Sequence, residues 1–349
     1  MELAYTEGSI RWPLRRQLCK IEYNWIQGVE ALEDYEPGVN TASSVPRETR
    51  VLNALSKSFM SSHGHPGRRL VPELLDEFEV RGPNGTHTCY TVTLAACNLR
   101  DVSFSLFPLD VARALSHSLA QAVACVHSQG YVHGDLHLNN VLLALPSNFD
   151  DLSVEQLYAK YGKPETPLPP NIPAEAARPL LLGRSIDQLT LSTARLLLND
   201  SGEAFCPASE VRLGRDCHTP SGARAPESKF EPGVPLTHRS DIWSLATALW
   251  ELMGMKPIVA QHIDVLGPMP SDWWLRWKAR DELEVAVQKW RRREGNKIVE
   301  EEKAAFLDLM HRMLVYLPEE RLTADEVLQS DWMVKWALPD YERSLKGST

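Results

Sequence analysis

Between Tyr131 and Leu143 the chain reads YVHGDLHLNNVLL, and this stretch carries a spacing that could do chemistry. Asp135 can take a proton from a hydroxyl, and Asn140, five residues later, can turn back toward a Mg²⁺ ion on the same face. His137 adds an imidazole that gains a positive charge at low pH. A plain loop with a capping Asp and Asn uses the same residue types, so the segment alone leaves both readings open.

Regular elements must hold such a loop, and the surrounding pattern supplies them. Leu115, Leu119, Ala122 and Val126 recur at helical spacing within 109–128, and Gly130 suits the end of that helix. Val51, Leu52 and Leu55 predict a helix over 47–55 behind Pro46, with a shorter one over 26–35. Strands are predicted over 70–80 and 87–95, joined through Asn84-Gly85, a hairpin signal. The loop 63–69 carries Arg68 and Arg69, which read as a solvated basic pair rather than a nucleic-acid patch. Residues 145–183 are Pro-rich and read as an insert with one helix over 154–161. Short strands are predicted over 180–182 and 194–198, and 202–233 is irregular. From Ser240 onward the pattern is helical, over 241–253, 273–290, 304–314 and 323–328. Trp243, Trp250, Trp273, Trp274, Trp277 and Trp290 read as core and helix-seam packing.

Composition narrows the classes. The 349 residues hold 37 Lys plus Arg against 46 Asp plus Glu, a net charge of −9, which argues against a general nucleic-acid binder and favours basic partners. With 43% hydrophobic and 24% charged residues the chain is an ordinary globular one, long enough for two domains or one two-lobed domain. No apolar run of about 18 residues exists and no signal-peptide core opens the chain, so neither a membrane span nor secretion is expected. Cys19, Cys89, Cys97, Cys125, Cys206 and Cys217 form no C-x-x-C pair, so free thiols in a reducing compartment are expected.

Four further segments follow the first loop in order. They are Leu196 to Gly202 (LLLNDSG), Ala225-Pro226-Glu227, Asp241 to Leu245 (DIWSL), and Pro318 to Ala324 (PEERLTA) followed by Trp332. Together the five resemble the catalytic loop, D-F-G metal motif, A-P-E motif and later helices of a eukaryotic protein kinase. Residues 28–38 (GVEALEDYEPG), 65–89 and 154–169 (VEQLYAKYGKPETPLP) resemble the fungal branch of the SR-protein kinases. The resemblance runs over nearly the whole chain from about Trp25. It implies an α+β, protein-kinase-like two-lobe fold: a pre-domain segment over 1–37, a truncated β-rich N-lobe over 38–97, and an intact, mainly helical C-lobe over 98–349 with the family insert at about 145–183.

The function it implies is transfer of the ATP γ-phosphate, with Mg²⁺, to Ser in Arg/Ser-rich proteins, by a monomer in the cytoplasm, the nucleus or both. On that resemblance Asp135 is the catalytic base, and Asn140 and Asp200 are the metal ligands. Leu94, Ala95 and Cys97 belong to the hinge wall for adenine. His137 stands where most Ser/Thr kinases carry a phosphate-contacting Lys, and Gly134 replaces the Arg that pairs with activation-segment phosphate. Glu227 and Arg321 form the buried ion pair of the large lobe, and Asp241 supports the catalytic-loop backbone.

Two family features are missing from the sequence. No G-x-G-x-x-G precedes the catalytic loop, and no V-A-I-K-type strand precedes Glu48, the candidate helix Glu. Lys20 lies upstream, on the far side of the pre-domain segment, and Glu48 without its Lys reads as a surface residue. Glycine-loop N–H donors and the Lys position the triphosphate, so their loss implies impaired turnover. The alternative is a catalytically dead pseudokinase that acts as an interaction module.

Overall fold

Val51, Leu52 and Leu55 lie on one face of α1 (Ser44–Lys57), and all three are buried. The computed structural model describes residues 18–20, 44–57, 64–82, 85–93, 95–102, 106–145, 149–162, 189–254 and 298–346. The expected helices over 26–35 and 273–290 and the strand over 180–182 lie outside the described residues, as do Trp273, Trp274, Trp277 and Trp290.

Glu48 shares the face of Val51, Leu52 and Leu55, and it is only 2% exposed. This overturns its expected place at the surface. The helix packs this face on β2 (Leu74–Gly82), β3 (Gly85–Val92) and the turn Ser201–Glu203. The carboxylate is carried into that seam.

The first sheet has strand order β1-β3-β2, with β1 spanning Leu18–Lys20. β2 and β3 form the expected antiparallel hairpin, with Gly82 opposite Gly85. β1 pairs antiparallel along the other edge of β3, placing Leu18 opposite Val92 and Lys20 opposite Tyr90. Lys20, remote in sequence from the helix that bears Glu48, thus stands on a strand of the sheet that this helix covers.

Several strand boundaries differ from the sequence expectation, two of them by three residues or more. β2 starts at Leu74 rather than Leu70, because Pro66–Leu70 forms a 3₁₀ turn capped by His65, whose Nδ1 accepts the Gly67 N–H at 3.1 Å. The turn docks on α3 (Leu109–Ser128) so closely that a Cβ on Gly67 would stand 2.1 Å from the Gln121 carbonyl oxygen. Arg68 is buried there and donates to the Val71 carbonyl at 2.8 Å, so this half of the basic pair is structural and not solvated. The chain also leaves the hairpin after Val92. It re-pairs as β4 (Ala95–Asn98) in a second sheet of order β4-β5-β6, with β5 at Val141–Ala144 and β6 at Leu196–Leu198.

The remaining described elements are helical. Between β4 and the end of the chain come α2 (Leu99–Val102), α3, α4 (Val154–Tyr161), α5 (Pro226–Phe230), α6 (His238–Leu252), α7 (Glu300–Met313), α8 (Ala324–Leu328) and α9 (Leu338–Lys346). α6 is buried almost all round: Ile242, Trp243, Leu245, Leu249, Trp250 and Leu252 are core residues. An apolar helix with no wet face belongs at a core centre. Phe306 stacks on Trp250 at 6.1 Å and meets Trp332 edge-on at 4.9 Å, which ties α7 to that centre. Arg113 of α3 binds both Glu302 of α7 and Asp340 of α9, so one half-buried guanidinium joins three helices. Arg321 and Glu227 pair fork to fork, at 2.8 and 2.6 Å, with side chains 0% and 5% exposed.

Candidate active site

The loop 131–140 runs from the end of α3 into β5, and its backbone is held from three directions. Val132 exchanges both backbone hydrogen bonds with Phe205, at 2.8 and 3.1 Å. Buried Asp241, in the first turn of α6, accepts the His133 N–H at 2.7 Å and the Gly134 N–H at 3.0 Å. The same carboxylate meets His127 Nε2 at 2.9 Å. Burial pushes the Asp241 carboxyl upward, but the hydrogen bond and charge of His127, with help from His133, outweigh it. The group is held below the usual carboxylate range. On the opposite side, the Thr219 hydroxyl donates to the Gly134 carbonyl at 2.8 Å.

Gly134 sits at φ +77, and a Cβ there would come within 2.8 Å of the Glu203 carbonyl oxygen. An Arg at this position is therefore excluded by both backbone conformation and space. The segment beyond is held by its own charges instead. Arg212 donates to the Glu203 carbonyl and pairs with the Glu203 carboxylate, and Arg47 of α1 reaches Glu210 at 3.1 Å.

This scaffold fixes the side chains. His133 is buried. Its Nε2 lies 3.0 Å from the Asn199 carbonyl, while Nδ1 accepts the Asp135 N–H at 3.4 Å. Asn140 Nδ2 donates to the Asp135 carbonyl at 2.9 Å and to its Oδ2 at 3.1 Å. His137 Nδ1 accepts the Asn139 N–H, which leaves the proton on Nε2, 3.4 Å from Asp135 Oδ1. Burial again pushes the Asp135 carboxyl up. His137, His133 and the Asn140 amide outweigh it and keep the group below the usual range. The carboxylate is thus ionised at neutral pH. Beyond the long 3.4 Å contact from His137 Nε2, its Oδ1 has no hydrogen-bond partner among the described residues. A buried, charged oxygen with an unfilled lone pair is equipped to receive a hydroxyl proton.

Asp200 is brought to the same place by the β5–β6 ladder, where Asn199 donates to the Asn140 carbonyl at 2.8 Å. Asp200 adopts a left-handed conformation at φ 65, the single non-glycine positive φ among the described residues. Such strain concentrates at functional sites. A methyl placed on Gly202 would lie 3.4 Å from Asp200 Oδ1 and 4.0 Å from Glu48 Oε2, so two carboxylates converge on this turn.

No cluster of three His, Cys, Asp or Glu residues suited to a metal exists among the described residues. The donor set present is Asp200 with the Asn140 amide oxygen, whose nitrogen is already committed to Asp135. That fits Mg²⁺, which takes one or two protein oxygens and completes its shell with phosphate and water.

Ala95 and Cys97 lie on β4, half-buried, while Leu94 lies outside the described residues. β4 is the edge of its sheet and pairs with β5 on one side. The structure thus gathers Asp135, His137 and Asn140 on one loop, with Asp200 beside it. His127 and Thr219 support that loop without any local sequence signal, because their partners lie 114 and 85 residues away.

No protein-family model matches the chain. A serine/threonine protein kinase of Aspergillus fumigatus is 26% identical over 328 residues, covering 84% of this chain and 76% of the relative. A serine/threonine-protein kinase of Arabidopsis thaliana is 24% identical over 80% of this chain and 69% of its own length. The protein kinase dsk1 of Schizosaccharomyces pombe is 30% identical over 106 residues, 28% of this chain and 20% of that protein. Similarity to serine/threonine protein kinases over most of the chain supports the protein kinase family.

Proposed function

We propose that this chain is an ATP-dependent serine/threonine protein kinase that acts on Arg/Ser-rich proteins. The observation that carries the reading is the unfilled lone pair on ionised Asp135 Oδ1, held in place by Asn140 and faced by His137. Asp135 receives the proton of the substrate hydroxyl as the oxygen attacks. His137 Nε2–H, directed at the same carboxylate, orients it. Asn140 and Asp200 would hold Mg²⁺, which when bound neutralises charge on the phosphates. The strand β4, with Ala95 and Cys97, would line the adenine site.

In this reading the β1–β3 sheet with α1 forms a reduced N-lobe and the helices from α3 onward form the C-lobe. Lys20 is the candidate, on its strand position alone, for the phosphate-binding cation that the sequence pattern lacks. Its register opposite Tyr90, on the sheet covered by the Glu48 helix, supports that role. The net charge of −9 suits a basic protein substrate.

Phosphate transfer to an Arg-Ser repeat peptide, abolished by Asp135→Asn, tests the reading. The second reading is a pseudokinase, favoured by the absence of any G-x-G-x-x-G before the catalytic loop. It predicts a folded protein that binds the peptide and transfers nothing.

A further inference from the structure

His238 opens α6, and its imidazole packs edge-on against His127 in the last turn of α3, with ring centroids 4.8 Å apart. His238 Nε2 is buried and has no hydrogen-bond partner among the described residues. The ring meets the Gly130 carbonyl through its other nitrogen. A neutral imidazole that donates from Nδ1 carries no proton on Nε2, so the buried atom is a bare lone pair. His127 is placed differently. Its Nε2 meets Asp241 at 2.9 Å, so a proton gained there is matched by a carboxylate.

A proton on His238 Nε2 finds no acceptor inside this joint, and it would sit at a helix N-terminus, the end that disfavours a cation. The groups that face the ring among the described residues are His127 from α3, Asp241 and Arg239 from its own helix, and the Gly130 carbonyl between the two helices. Burial opposes the charge most, with His127 and Arg239 adding to it. Asp241 and the Gly130 carbonyl favour the charge but do not offset the burial, and the group is held below its ordinary value of 6.5. Asp241 is also shared already, among His127 and the N–H groups of His133 and Gly134.

His238 and Asp241 lie on the same first turn of α6, so moving one disturbs the other. We propose that His238 is an acid-operated latch: a proton on its Nε2 drives the ring out of the joint between α3 and α6 and loosens the hold of Asp241 on the loop that carries Asp135. The closed joint binds fewer protons than the open one. It is therefore fully formed above pH 6.5 and gives way as pH falls below that value. The latch acts on the backbone of the loop, whether or not the loop transfers phosphate.

Amide hydrogen exchange of the full chain, corrected for the intrinsic pH dependence of exchange, would be followed by mass spectrometry between about pH 7.5 and about pH 5.5, the span in which an imidazole titrates. Peptides covering 131–140 report the loop. Peptides of α7 report opening of the whole protein, to which buried His117 contributes. On acidification wild type should lose about 5- to 30-fold of its loop protection relative to α7, the scale of one local hydrogen bond. His238→Asn, whose amide can donate to the Gly130 carbonyl but cannot gain a proton, should keep that ratio constant. Loop exchange that tracks α7 in wild type overturns the proposal, and so does an equal loss of protection in folded His238→Asn. If His238→Asn does not melt cooperatively, His238→Gln takes its place, and if neither variant folds, the wild-type comparison alone decides. Failure of the kinase reading would show separately, as absent phosphate transfer with these exchange patterns intact.

Discussion

Asp241 on α6 accepts the backbone N–H groups of His133 and Gly134, residues more than 100 positions earlier in the chain. One buried carboxylate thereby sets the course of the backbone that carries Asp135. Asp241→Ala should leave two buried N–H groups and His127 without their acceptor and destabilise the protein by about 2–5 kcal/mol. Displacement of Asp135 by an ångström should lower kcat by about 100-fold in the fraction that remains folded. Denaturant melts paired with transfer rates check both. Because the folded Asp241 carboxyl is held low, its stabilisation is present above the ordinary carboxylate range and is lost as pH falls below it.

Lys20 is the candidate for the phosphate-binding cation of the proposed site, on its strand position opposite Tyr90. Lys20→Ala should lower kcat/KM by about 100- to 1,000-fold, the scale of one preorganised donor, and Lys20→Arg should restore part of it. Unchanged kinetics in Lys20→Ala would remove this residue from the account.

Gly67→Ala tests the docking of the 3₁₀ turn on α3. The new methyl must displace the Gln121 backbone, because the Cβ would lie 2.1 Å from its carbonyl oxygen. A loss of about 1–3 kcal/mol is expected, read as a fall of several degrees in melting temperature. An unshifted melt would show that the contact is looser than described.

His117 is 4% exposed on α3 and stacks on Tyr341 of α9 at 4.6 Å, close to the Arg113–Asp340 pair. Burial pushes its pKa down to about 4. The unfolded chain takes up this proton first, near the ordinary value of 6.5. Stability should therefore be full above pH 6.5 and decline as pH falls toward 4, by about 3 kcal/mol at most. His117→Phe should flatten that decline in melts between pH 7 and pH 5. An equally steep decline in the variant would assign it to other groups.

Much of the site was legible in the sequence because its parts are local. The Asp135–Asn140 spacing, the apolar stripes of α1 and α3, and the Asn84-Gly85 hairpin each lie within a few turns or strand lengths. What the sequence could not give were partners joined by tertiary contact. Glu48 read as exposed because its missing Lys was weighed above its place on the stripe of Val51, Leu52 and Leu55, which buries it. Lys20 read as remote because strand pairing, which sets it opposite Tyr90, leaves no trace in a three-residue segment. Arg68 read as solvated because the docking of its turn on α3, where it becomes buried, is a tertiary contact.

The most direct test is phosphate transfer by the full chain. Radiolabelled ATP, Mg²⁺ and an Arg-Ser repeat peptide would be incubated with wild type and with Asp135→Asn, both verified as folded by cooperative melting. The account predicts label on the wild-type peptide product and a loss of at least about 1,000-fold in the variant, since the base no longer accepts the hydroxyl proton. Equal labelling by both proteins, or none by folded wild type, would contradict it.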